Sequence, residues 1–149
     1  MTNNIKVSEI MTKTVTVAGV TNTFEQVMRF FTEFNIQHLP ITDGGLLVGM
    51  ISVKDMNNYI FQQIKKGEKT DTASLNATFK VSEIMTPNPI TVMPDDIAYK
   101  VVEILSAGKF QALPVVINNE IQGIVTNKDL VRMLHWEYTH NYGSAFSGL

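Results

Sequence analysis

Apolar residues along this chain fall into two alternating rhythms. Phe24, Val27, Met28 and Phe31 recur at i, i+3, i+4 and i+7, and Ala98, Val101, Val102 and Leu105 repeat that spacing. Each stripe predicts an amphipathic helix. Thr23 with Gln26 forms a candidate capping box for the first, and Asp95 or Asp96 a candidate cap for the second. After each helix the pattern tightens to strands, around His38–Thr42 and Leu46–Ser52 in the first case. Asp43-Gly44-Gly45 joins that pair, and Asn118-Asn119 stands at the equivalent turn later in the chain. Gly and Asn accept positive φ, so both read as hairpin turns. Closing helices follow, carrying Met56, Ile60 and Ile64, then Leu130, Met133 and Leu134. Val7, Ile10 and Met11 suit one face of a short opening helix, and Val15–Val17 reads as a β-branched strand stub.

The rhythm repeats because the sequence does. Val7-Ser8-Glu9-Ile10-Met11-Thr12 returns unchanged as Val81-Ser82-Glu83-Ile84-Met85-Thr86, 74 residues on. Gln37-His38-Leu39-Pro40 returns as Gln111-Ala112-Leu113-Pro114, and Gly49–Asp55 as Gly123–Asp129, at the same offset. Thr16-Val17 matches Thr91-Val92 only with a slip of one residue, implying compensating loop changes. Residues 7–66 and 81–137 are thus two copies of one α/β unit. The polar stretch 67–80 is expected to be a linker. The weakly periodic segment 138–149 is expected to be a tail, partly disordered or packed on a partner. One copy is too small to bury a comfortable core alone. Two copies packed through their sheets would share one, with pseudo-twofold symmetry.

Composition narrows the function. The chain has 149 residues, no cysteine and a formal net charge of −2. Disulfides and thiolate metal sites are excluded, and long-range attraction to nucleic acid or anionic membrane is weak. No apolar run approaches the roughly 20 residues that span a bilayer. The first six residues lack an apolar signal core, so a cytoplasmic protein is expected. His38, His135 and His140 have no metal-ligand spacing, and no acid, base and nucleophile set stands out. Trp136, Tyr138 and Tyr142 form either an aromatic contact for a partner chain or a stray surface cluster.

The segment Gly-φ-φ-Ser/Thr-x-Lys-Asp (φ apolar), at 49–55 and 123–129, carries the candidate chemistry. A glycine inside a strand marks close approach of another backbone or a ligand. Ser52 and Thr126 stand at predicted helix starts, where free N–H groups favour an anion. Asp55 and Asp129 fall in the first turns, and a carboxylate there accepts hydrogen bonds from vicinal hydroxyls such as those of ribose. Ser/Thr-x-x-Asp is equally an ordinary capping arrangement.

These segments, with the Val-Ser-Glu-Ile-Met-Thr pair and the Leu39-Pro40-Ile41 and Leu113-Pro114-Val115 elements, resemble the CBS domain family across most of the chain. The resemblance implies a βαββα unit, two of which form a Bateman module. It also implies a homodimer. It implies no catalysis and no required cofactor, but regulation of some partner by adenosine-type ligands: AMP, ADP, ATP or S-adenosylmethionine, bound in clefts between repeats. Carried over by position, one site would use Asp129 for ribose, Thr126 for phosphate and the Ile124 backbone for the base edge, with Thr12, Val15 and Thr16 around the adenine. The other would use Asp55, Ser52 and Met50, facing Thr86, Ile90 and Thr91. The family often places a basic or polar residue just before Leu-Pro. Here it is His38 in one copy and Ala112 in the other, which implies unequal affinities. The rival reading is a structural dimerisation module with degenerate clefts, its Ser/Thr-x-x-Asp segments acting as caps alone.

Overall fold

The computed structural model describes residues 4–142. The chain forms two compact units that do not coincide with the sequence repeats. A continuous unit spans Thr16–Pro89, and a split unit joins the chain up to Val15 with the chain from Ile90.

In the continuous unit, β1 (Ala18–Gly19), β2 (His38–Asp43), β3 (Leu46–Ser52) and β4 (Thr86–Pro87) form one sheet in the order β1-β2-β3-β4. The first pair is parallel and the others antiparallel. Strand β1 lies beyond the expected Val15–Val17, because the sheet offers Ala18 and Gly19 their partners at Ile41 and Thr42. It ends at once, since the Gly19 N–H is turned aside to Asn22 Oδ1 at 2.7 Å. Helix α2 (Phe24–Glu33) starts as its sequence predicts. The Gln26 N–H donates to Thr23 Oγ1 at 3.2 Å, and the Thr23 N–H to Gln26 Oε1 at 3.0 Å. Its stripe buries Phe24, Val27 and Phe31 with Leu39, Ile41 and Ile51 of the sheet.

The polar stretch expected to be a linker holds a helix, Thr72–Thr78, N-capped by Asp71. It follows the helix Val53–Lys65 and precedes Val81–Ile84. These three are α3, α4 and α5 in chain order, with Val7–Ile10 as α1. Leu75 and Phe79 are buried in the core of this unit. Phe79 meets Phe24 and Tyr59 edge-on, with ring centroids 5.7 and 5.4 Å apart. Asn76 Oδ1 accepts the Glu25 N–H at 3.0 Å and so completes the start of α2. The segment looks polar because only these two apolar side chains anchor it.

The split unit contains α1, α6 (Ala98–Ser106), β5 (Ala112–Ile117), β6 (Glu120–Thr126) and α7 (Asn127–Tyr142). Its core gathers Val7, Val92, Val101, Leu105, Leu113, Val115 and Val125. Neither Asp95 nor Asp96 caps α6, whose N-cap is Ile97. Asp96 instead accepts the Met93 N–H at 2.7 Å and pairs with Lys100 at 2.9 Å, while Asp95 pairs with Lys6 at 3.0 Å. Val92 bridges Val115 as Ala18 bridges Ile41, so these positions are equivalent at the unchanged offset and no one-residue slip exists. Both hairpins close with two residues at positive φ, Gly44 (57°) and Gly45 (83°), then Asn118 (50°) and Asn119 (63°). That is the geometry of a type I′ turn.

The segment from Tyr138 to Tyr142, expected to be tail, continues α7. Residues 143–149 of that expected tail lie outside the described residues. Trp136 stacks on His140 one turn later, with centroids 4.2 Å apart, and half of its surface stays exposed.

Each opening segment completes the hairpin of the other sequence repeat. Thr12 exchanges both backbone hydrogen bonds with Ile124, at 2.8 and 3.0 Å. Met50 pairs with Thr86 in the same register, and Gly49 with Pro87. The strand glycines permit this approach. A Cβ on Gly123 would stand 2.8 Å from the Thr12 carbonyl oxygen and 2.7 Å from Met11 Sδ. One on Gly49 would meet the Met85 side chain and lie 3.1 Å from the Thr86 carbonyl oxygen.

Candidate functional site

Each unit holds one Ser/Thr-x-x-Asp pair at a helix start, and the strand leading into it pairs with a threonine from the other repeat. In the continuous unit the helix is α3. Asp55 Oδ2 accepts the Ser52 backbone N–H at 2.8 Å and the Ser52 hydroxyl at 2.9 Å. The Asp55 N–H donates back to Ser52 Oγ at 3.2 Å, a full capping box. Asp55 Oδ1 carries no hydrogen bond among the described residues. In the split unit the helix is α7. Asp129 Oδ2 accepts the Thr126 N–H at 2.8 Å and its hydroxyl at 3.2 Å. Here Oδ1 is also engaged, by Arg132 Nη1 at 3.3 Å. Asp129 is only 4% exposed, whereas Asp55 is half-buried.

Electrostatics separate the two places further. His38 is the cross-strand partner of Ser52, and Ala112 that of Thr126. His38 therefore belongs with Asp55. Burial holds its imidazole below the usual histidine value, and the nearby Asp55 carboxylate pulls the other way. A lowered value keeps the ring neutral at pH 7. Lys54 and Lys128, just before the two aspartates, are exposed.

Of the expected site residues, the structure gathers Met50, Ser52, Asp55, Thr86 and His38 in the continuous unit, and Thr12, Ile124, Thr126 and Asp129 in the split unit. Val15 lies in the split unit and is half-buried. Thr16 falls in the continuous unit, and Ile90 and Thr91 in the split unit, so those three stand across the boundary from the pairs they were assigned to. The role given to the Ile124 backbone narrows to its carbonyl, which keeps a second lone pair. Its N–H and carbonyl already bond Thr12, so no free N–H remains there for a base edge. Arg132 was not among the expected residues. Its signal was the i, i+3 spacing from Asp129, which places a cation within reach of that carboxylate.

Three further features frame the chemistry. Among the described residues no three His, Cys, Asp or Glu side chains could hold a metal ion together, and no helix is long and apolar enough to cross a membrane. An open groove of about 610 Å³ runs along α3 from Asp55 past Asn58 and Gln62 to Lys66, within the continuous unit.

A duplicated α/β unit with a strand glycine and a hydroxyl–carboxylate helix start in each copy defines a class of tandem-repeat modules. The chain belongs to the CBS domain family, whose model matches residues 7–62 and 81–135. The CBS domain pair of protein MJ0100, solved in complex with 5′-methylthioadenosine and S-adenosyl-L-methionine, shares the fold with a TM-score of 0.73 at 28% identity, over 89% of this chain and 97% of that one. CBSX2, solved with AMP, shares the fold with a TM-score of 0.73 at 24% identity, over 89% of this chain and 98% of that one. Protein MJ1232 of Methanocaldococcus jannaschii is 29% identical over 93% of this chain. The chain spans less than half the length of the curated relatives it matches, 43% of MJ1232 and 44% of MJ0188 from the same organism.

Proposed function

We propose that the chain is a non-catalytic regulatory module that binds adenosine-type ligands at the two hydroxyl–carboxylate helix starts. AMP, ADP, ATP and S-adenosylmethionine are the candidates. The observation that carries this reading is that, within one unit, the strand leading into the helix-start aspartate of one repeat pairs with the threonine of the other repeat's opening segment. The Val53 and Asn127 amides donate to Gln37 and Gln111, and the Asp55 amide to Ser52, so the helix dipole and the remaining first-turn amides are what favour a phosphate, while the carboxylate favours a diol. The likeness to MJ0100, whose structure holds two adenosine compounds, supports the same reading. Such a module would work in the cytoplasm as a homodimer and report to a regulated partner. A ligand changes that report only through unequal affinity for the arrangements it selects between.

One observation favours the structural reading in the split unit. Both oxygens of Asp129 are satisfied within its own helix turn. Isothermal titration with the four candidates separates the readings. The regulatory reading expects a heat for at least one ligand, weakened in Asp55→Ala or Asp129→Ala. The structural reading expects no heat, with substitution touching stability alone.

A further inference from the structure

The two aspartates are equivalent in sequence but not in what they have left to offer. A ribose diol donates two hydrogen bonds, and in both units Oδ2 is already taken by the backbone and hydroxyl of the capping residue. The diol must therefore use Oδ1. At Asp55 that oxygen is open, and the residue one turn along the helix, facing it by repeat symmetry, is Asn58. At Asp129 the corresponding residue is Arg132, whose Nη1 holds Oδ1 at 3.3 Å. A ligand in the split unit has to displace a charge-assisted bond before it can seat its ribose.

We infer that Arg132 sets the charge preference of the split-unit site, acting as a latch that an anionic ligand opens more readily than an uncharged one. This rests on the adenosine reading proposed above. An uncharged nucleoside replaces the Arg132–Asp129 bond with neutral hydroxyl donors and gives the freed guanidinium no anionic partner but water. A nucleotide replaces it too, but its phosphate then pairs with the freed guanidinium, whose planar fork suits a phosphate. The Arg132 side chain is 63% exposed, so it can swing without repacking the core. The continuous unit carries no such latch. There the group beside the capping serine is His38, neutral at pH 7 through burial, so that site accepts nucleosides that carry no phosphate. The module would thus read two ligand charges, one in each unit.

Adenosine and AMP are the probes, titrated calorimetrically in two backgrounds. Asp55→Ala leaves the split-unit site to be measured, and Asp129→Ala leaves the other. In the first background, Arg132→Gln is expected to tighten adenosine and weaken AMP, each by about threefold to tenfold, where tenfold corresponds to about 1.4 kcal/mol. Arg132→Lys keeps the charge and should hold AMP between the two. In the second background, Asn58→Arg should install the latch, weakening adenosine and tightening AMP by similar factors. If Arg132→Gln moves both ligands in one direction, or neither, the latch is overturned while the adenosine reading stands. If neither of these, nor ADP, ATP or S-adenosylmethionine, binds the unsubstituted protein, the adenosine reading fails and the latch fails with it.

Discussion

The two helix starts share a motif and differ in the side chains that flank its carboxylate. Around Asp55 the neighbours are polar and uncharged at neutral pH: a half-buried imidazole across the strand and an asparagine one turn on. Around Asp129 the cross-strand neighbour is an alanine, and the carboxylate is buried under a guanidinium. The difference extends to the scaffolds. The continuous unit has an extra helix, α4, and an aromatic cluster built on Phe79, whereas the position equivalent to Phe79 in the split unit is the half-buried Ile5. Duplication preserved the hairpins and the Ser/Thr-x-x-Asp helix starts, and left the side chains beside each carboxylate free to diverge.

The largest expected effect tests the scaffold difference. Phe79→Ala should destabilise by about 3–5 kcal/mol, as truncating a buried aromatic does. Ile5→Ala should cost clearly less, and urea unfolding midpoints compare the two. If they match, α4 and its aromatic cluster are not what distinguishes the continuous unit.

Next come the strand glycines. Gly123→Ala would press a methyl group onto the Thr12 carbonyl, 2.8 Å away, and is expected to cost about 1–3 kcal/mol. Gly49→Ala meets chiefly the flexible Met85 side chain and a carbonyl at 3.1 Å, so it should cost less. Amide exchange at Ile124 and Met50 reports which opening segment is loosened.

The caps follow at about 1 kcal/mol each. Asp129→Ala should cost more than Asp55→Ala: each removes two bonds to its capping residue, but Asp129 is nearly fully buried and also holds Arg132. Equal thermal midpoints would show that the extra partner adds nothing.

The smallest effect is the pH dependence at His38. Its folded value is lowered, so the unfolded chain binds the proton more readily. Stability is full above the unfolded histidine value, roughly 6.5, and is lost as pH falls toward the folded value. Urea midpoints from pH 8 to 5 should therefore fall, and His38→Gln should flatten the decline. An unchanged slope would assign it to other groups.

The regular helices and both hairpins were legible in the chain. Thr23–Gln26, the Phe24–Phe31 stripe and the Gly-Gly and Asn-Asn turns act through neighbours a few residues away. The strand stub was misplaced because β1 exists only where β2 supplies partners. The helix inside the connector went unread because two buried side chains, Leu75 and Phe79, suffice to pack a segment that otherwise looks solvated. At the candidate site the serine, threonine and two aspartates were readable as caps, and the cation on Asp129 went unnoticed.

What the sequence determined by itself is the duplication, the periodicity and the capping chemistry, since these follow from short-range spacing and backbone sterics. What only the tertiary structure decided is partnership. Long-range packing put each opening segment on the other repeat's hairpin, set His38 beside Ser52, and left one carboxylate oxygen open while closing the other. Those outcomes depend on which surfaces meet, and residue spacing along one chain does not specify that.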